Sequence, residues 1–129
     1  MAQTTRVLIV DGDEQIRVLL HKALLDRAVS CASASSADDA LALLREGRYA
    51  IVLLHLEMPG AQSVLDSIRS LFPEHRPVVM VTAEVRSPKE SIDTELVQVI
   101  IRRPLRIAEV AEIIRSCLEF LPRIREDVT

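Results

Sequence analysis

Aromatic side chains are almost missing from this chain, which has one Tyr, two Phe and no Trp among 129 residues. No stacking platform for a planar ligand is evident, and the three glycines form no glycine-rich phosphate loop. The two cysteines, Cys31 and Cys117, lie far apart and match no metal or redox spacing. They read as buried free thiols in a reducing compartment. No apolar run approaches the roughly 18 to 20 residues of a membrane span. The polar start, Met1 to Arg6, also lacks the apolar stretch of a signal peptide. Basic charge is dispersed, with 16 Lys and Arg against 19 acids and a net charge of −3. A dedicated nucleic-acid surface would concentrate it. The expectation is a soluble, cytoplasmic protein with neither membrane nor nucleic acid as partner.

What is present is ordinary globular material, 49% apolar and 27% charged. The length suits one domain, with a core over about residues 5–121 and a short polar C-terminal tail too short to be an output domain. Four apolar runs, Val7–Val10, Ile51–Leu54, Val78–Val81 and Val97–Ile101, are rich in β-branched residues and do not alternate. That is the pattern of strands buried on both faces of a parallel sheet. Gln98 interrupts the last run, and a weaker strand is expected near Val29–Ala32.

Helical stripes lie between the runs: Ile16, Leu19, Leu20, Ala23 and Leu24; then Ala37, Ala40, Leu41 and Leu44, opened by Ser36 with Asp39 at capping-box spacing. A third comprises Val64, Leu65, Ile68, Leu71 and Phe72, ended by Pro73. The last runs through Ile107, Val110, Ala111, Ile114, Cys117, Leu118 and Leu121, stopping near Pro122. Ser87 to Glu95 is expected to be a short or mobile helix, capped by Ser87 with Pro88 in its first turn, because its apolar face is little more than Ile92 and Leu96.

Strand and helix alternating about five times predicts an α/β fold, a doubly wound parallel sheet with helices on both faces. The working site of such a sheet lies beyond the carboxyl ends of its strands. The residues there are Asp11, Gly12 and Asp13; His55, Leu56 and Glu57; Thr82 and Ala83; and Arg102, Arg103 and Pro104.

These strand ends resemble the receiver domain of bacterial response regulators, the flavodoxin-like family of chemotaxis and two-component signalling, which implies a five-stranded sheet of order 2-1-3-4-5. Val7-Leu8-Ile9-Val10-Asp11-Gly12-Asp13-Glu14 is similar to the family's first strand and acidic turn. Leu53-Leu54-His55-Leu56-Glu57-Met58-Pro59-Gly60 is similar to its third strand and loop, and Val79-Met80-Val81-Thr82-Ala83 to its fourth strand. Arg103-Pro104-Leu105 stands where the family has Lys-Pro-Phe, whose cation–proline bond is often cis; the sequence leaves the isomer open here.

In the family, an aspartate ending the third strand becomes an acyl phosphate, and two acids after the first strand help to hold Mg²⁺. A Thr or Ser and a Lys bind the phosphoryl oxygens, and an aromatic on the fifth strand responds. Carried over by resemblance, the acceptor position is His55, the two acids become Asp11 and Gly12, and Thr82 and Ala83 are kept. The lysine position is Arg103 and the aromatic switch position is Ile100. With two carboxylates gone, Mg²⁺ loses most of the hard oxygen ligands it needs. No cofactor and no metal are expected. A transition-metal set of His55, Asp11 and Asp13 lacks a second His or Cys.

Asp13 and Glu14 have a simpler use, capping the first helix and opposing its dipole. His55 is expected to hydrogen-bond Asp11, which would favour its cation while Arg103 opposes it. Arg103 is expected to pair with Asp11 or Glu57. His21 and His75 read as solvated surface residues. The resemblance implies a pseudo-receiver that is not an enzyme and works without phosphorylation. It would dock a protein partner, or a second copy of itself, through the surface of the fourth helix, fifth strand and fifth helix, where Ile92, Arg102, Arg106 and Glu109 lie. The alternative is an active phosphotransfer receiver with an unconventional acceptor, His55 or Asp13.

Overall fold

The computed structural model describes residues 6–84, 86 and 92–128, with side chains described as far as Leu121. In chain order it contains β1 (Val7–Val10), α1 (Glu14–Leu25), β2 (Cys31–Ala34), α2 (Ala37–Glu46), β3 (Ile51–His55) and α3 (Ala61–Arg69). A 3₁₀ turn (Pro73–His75), β4 (Val78–Ala83), β5 (Val97–Arg102) and α4 (Ile107–Val128) follow. The strands form one sheet of order β2-β1-β3-β4-β5, every neighbouring pair parallel. This is the doubly wound sheet that the alternation predicts, in the order that the resemblance implies. Among the described residues no helix is long and apolar enough to cross a membrane.

The central strands divide their side chains between two cores, as period-2 geometry requires. Leu8, Val10, Val52, Leu54, Val79 and Val81 pack with Ala40, Val64, Leu65 and Ile68 from α2 and α3. Val7, Ile9, Ile51, Leu53 and Met80 pack with Leu20 and Leu24 of α1 and Val110, Ala111, Ile114 and Leu118 of α4. Both faces are therefore covered, which explains the unbroken apolar runs.

Two helix starts follow their predicted caps. Asp13 Oδ1 accepts from the Gln15 and Ile16 N–H groups at 2.9 and 3.4 Å, and Ser36 Oγ accepts from Asp39 N–H at 3.1 Å.

Several expectations change. The second strand lies two residues later, at Cys31–Ala34, because Val29 is spent on closing α1, donating to Leu24 O at 2.9 Å. Leu19 is 41% and Phe72 71% exposed, since α1 buries only Leu20 and Leu24 fully and α3 ends before Phe72. In α2, Leu44 packs against the core as expected, but Leu43 joins it there rather than Leu41. The last helix continues through Pro122 to Val128. Proline costs a helix interior one N–H and about 3 kcal/mol, and the packed turns upstream carry this helix across it.

Of the segment expected as a short helix, Ser87–Ser91 lie outside the described residues, and Ile92–Leu96 form turns. There the Asp93 side chain accepts from Glu95 N–H at 3.0 Å, a local bond that competes with helix. Ile92 is only 5% exposed and belongs to the core. This corrects its assignment to a partner surface, since the side chain packs inward against the core.

Gln98 is more than an interruption. Val79 pairs with Val97 but Met80 pairs with Val99, so β5 carries one extra residue at this point. Gln98 Oε1 accepts the Val79 N–H at 2.8 Å, satisfying a donor that the bulge would otherwise orphan.

Two positive-φ positions carry opposite risks. Gly60, before α3, has φ 80°, and a Cβ there would stand 2.6 Å from Ala37 Cβ. Ala28 has φ 59° after α1, where Val29 N–H to Leu24 O closes the helix and glycine is usual. Gly60→Ala is expected to destabilise by more than about 1 kcal/mol and Ala28→Gly to stabilise by up to about 1 kcal/mol. Urea unfolding of the two variants checks both signs.

Candidate functional site

Four of the strands end in the same small region, and their terminal residues make the only buried polar set among the described residues. Asp11 follows β1 and is 3% exposed; Thr82, next to last in β4, is 1% exposed. His55 ends β3 directly beside Thr82 in the strand register. Arg103 follows β5, its N–H donating to Ala83 O at 2.8 Å.

A buried carboxylate needs full compensation, and Asp11 has it. Its Oδ2 accepts from Arg103 Nη2 at 2.5 Å and its Oδ1 from Asp13 N–H at 2.9 Å. Its carbonyl accepts from Arg17 Nη1 at 2.8 Å. Arg103 Nη2 also donates to Thr82 Oγ1 at 3.0 Å. One guanidinium nitrogen thus ties the ends of β1, β4 and β5 together. Between the two expected partners, Arg103 chooses Asp11.

His55 lies among carboxylates. Its Nδ1 is 3.5 Å from Asp11 Oδ1, and its Nε2 is 3.6 Å from Glu57 Oε1 and 4.0 Å from Glu84 Oε1. The Nδ1 separation is ion-pair range rather than the expected hydrogen bond. His55 Nε2 and Arg103 Nε are buried and have no hydrogen-bond partner. Glu57 Oε1 accepts from Glu84 N–H at 3.0 Å, which ties the loop after β3 to the loop after β4. The Arg103–Pro104 bond is cis.

The other residues singled out in the sequence separate. Gly12 is exposed, and a Cβ there would meet only Ser35 O at 3.8 Å. Asp13 turns away to cap α1. Ala83 is fully buried, Pro104 exposed, and Ile100 half-buried against the core shared with α2 and α3. Arg102, half-buried, donates to Glu84 O at 2.9 Å. Arg106 and Glu109 are exposed and 3.3 Å apart.

Two participants carry no signal in the sequence beyond their positions: Glu84, just past the fourth strand, and Arg17, one turn into α1. The cysteines are unpaired and half-buried, less enclosed than expected. Burial pushes both thiols up from their ordinary value, away from the reactive thiolate. Cys31 Sγ is 3.1 Å from Nδ1 of the exposed His21.

The comparisons with known proteins agree with this architecture. The transcriptional regulatory protein ResD of Bacillus subtilis is 31% identical over 80 residues, 62% of this chain and 33% of ResD. SrrA of Staphylococcus aureus, also a transcriptional regulatory protein, is 31% identical over 83 residues, 63% of this chain and 34% of its own length. The match thus spans about a third of the length of these relatives. A CheY-like receiver domain protein from Methanospirillum hungatei superposes with a TM-score of 0.71 at 25% identity, covering 94% of this chain and 97% of that one. A Thermotoga maritima response regulator in complex with Mg²⁺ and beryllofluoride superposes with a TM-score of 0.74 at 22% identity, covering 88% and 99%. Residues 7–115, from the first residue of β1 into α4, match the family model for the response regulator receiver domain. By that match and by the sheet that carries it, this chain belongs to the receiver domains of two-component response regulators.

Proposed function

We propose that this receiver signals without phosphorylation, held in one conformation and acting by docking a protein partner in the cytoplasm. The observation that carries this reading is Arg103 Nη2 bonded at once to Asp11 Oδ2 and Thr82 Oγ1. The guanidinium occupies the two groups that a metal and a phosphoryl oxygen would need.

Phosphoryl transfer depends on positioning and on charge neutralisation by a metal and cations. Mg²⁺ takes oxygen ligands in near-octahedral geometry at about 2.0–2.1 Å. The donors here are one carboxylate already bonded through both oxygens, a glycine at position 12 and an imidazole at position 55. That set does not fit Mg²⁺. Arginine is also no substitute for the family's lysine at this place. Here one guanidinium nitrogen donates to both acceptors, and the planar group is less adaptable than a point charge on a flexible stem.

Neither unconventional acceptor gains support from its surroundings. Asp13 is engaged as the cap of α1, and His55 faces carboxylates on both ring nitrogens, which would repel an incoming phosphoryl group. Ile100 supplies no aromatic switch.

For the partner, we propose the face made by β5 and the start of α4. Arg102, Arg106 and Glu109 remain there, with Ile92 removed from the set by its burial. Self-association through this face is the alternative occupant.

Incubation with acetyl phosphate and Mg²⁺ is expected to leave the intact mass unchanged, and amide spectra with Mg²⁺ and beryllofluoride are expected not to move at Asp11, His55 or Thr82. Mass gain or saturable shifts would overturn the reading. The triple variant Gly12→Asp, His55→Asp, Arg103→Lys should regain Mg²⁺-dependent shifts, since position 12 has room for a side chain. His55→Asp alone should not, because Arg103 would still neutralise Asp11. Arg103→Ala leaves Asp11 buried without its cation and should cost about 3–5 kcal/mol in urea unfolding.

A further inference from the structure

The amino ends of the strands, across the sheet from the pocket built on Asp11, also carry a groove. It is a cavity of about 320 Å³ between the turn that leads from α2 into β3 and the turn that leads from α3 into β4. Leu44, Tyr49, Leu71 and Pro77 give it an apolar lining. Phe72 extends that surface beyond the groove: its side chain is 71% exposed, and its ring meets His75, which lines the groove, edge-on at 6.2 Å between centroids. Two of the three aromatic residues in the chain, Tyr49 and Phe72, thus stand at this one end. Aromatic and arginine side chains are the ones enriched where protein surfaces bind each other.

The cations here face outward. Arg27, Arg69, Arg103, Arg106 and Arg115 are held in ion pairs. Arg45 and Arg48, both exposed and both in the lining, form no ion pair among the described residues. Arg76 serves the fold instead, donating to Leu71 O at 3.0 Å and Arg69 O at 2.6 Å. Arg45, Arg48 and Arg76 outnumber Glu46 and Glu74 at this end, in a chain whose net charge is −3.

We infer that this groove docks an acidic segment of a partner protein, which seats a large apolar side chain against Tyr49 and Leu71 while its carboxylates meet Arg45 and Arg48. The guanidinium fork matches a carboxylate in geometry as well as in charge. Both arginines are exposed and Phe72 stands outside the cavity, so the surface fits a chain laid across it. A small-molecule site would enclose its ligand and its polar anchors. The walls are preformed, which lowers the ordering cost of binding. Gly47 N–H donates to Leu43 O at 3.1 Å, His75 N–H to Phe72 O at 2.8 Å and Val78 N–H to Ala50 O at 2.8 Å. Burial and then the Glu46 charge push the Tyr49 phenol up, leaving it a neutral donor for an acceptor on the partner. Lying away from the strand-end pocket, the groove works alike whether or not the receiver is phosphorylated.

Selection of phage-displayed random dodecapeptides on the 129-residue chain is the test, followed by anisotropy titration of the enriched peptides. They are expected to combine several acids with a large apolar residue, and to bind more weakly as salt is raised. The double variant Arg45→Glu, Arg48→Glu and the single variant Phe72→Ala should each weaken binding at least about tenfold. Urea unfolding should stay at the parent value in both, because all three side chains are exposed. Arg106→Glu, on the face of β5 and α4, should leave binding unchanged. No enrichment, enrichment of basic or uncharged peptides, or binding that survives the groove variants overturns the proposal. So does self-association in sedimentation that Phe72→Ala abolishes, which would assign the groove to a second copy of the chain.

Discussion

The geometry of the strand ends depends on a single buried ion pair, Arg103 with Asp11. A carboxylate as enclosed as Asp11 is tolerable only beside a cation or several donors, and here the cation comes from beyond the fifth strand, 92 residues away in the chain. By also bonding Thr82, Arg103 makes β1, β4 and β5 share one nitrogen. The residues around it are held secondarily: Asp13 by its N–H to Asp11, Arg17 by the Asp11 carbonyl, and His55 by its place in the β3–β4 register. A built-in guanidinium thus stands between the acid and the hydroxyl at the strand ends.

Arg103 can reach that position because of what happens earlier in β5. Strand side chains alternate faces, so a slip of one residue exchanges core and surface for everything downstream. The extra residue at Gln98 makes that slip once, deliberately, and the Gln98 side chain satisfies the Val79 N–H left over. Beyond it Ile100 pairs with Val81 and Arg102 with Ala83, and the Arg103 N–H meets Ala83 O. Without the bulge the same arginine would follow a strand in the other register, with no path to Asp11.

Much of this was legible beforehand. Strands β1, β3, β4 and β5, the final helix up to Leu121 and the caps at Asp13 and Ser36 follow from β-branched runs, helical stripes and polar residues at their boundaries, and the sheet order from the family resemblance. The strand-end rule then singled out Asp11, His55, Thr82 and Arg103 together. Legibility failed where the signal was weak or shared. The second strand, Cys-Ala-Ser-Ala, has no β-branched residue to mark it. Phe72 and Leu19 sit at helical spacing but outside the arc that the neighbouring elements cover. Ile92 looked like the face of a short helix, and its burial depends on contacts with the core that periodicity cannot register. Glu84, an ordinary surface acid in sequence, matters only because the loop after β4 brings it to His55.

The sequence by itself determined the class of fold, the edge of the sheet at which function would be sought, and the residue types standing there: glycine at position 12, histidine at 55 and arginine at 103. Those facts depend on local pattern and on position relative to strands, both of which are linear properties of the chain. The tertiary structure alone decided which partner Arg103 takes, which way each nitrogen of His55 faces, and which surface residues are truly at the surface. Such choices turn on distances of an ångström between groups far apart in sequence, and on the desolvation that makes one pairing obligatory. No local pattern encodes either.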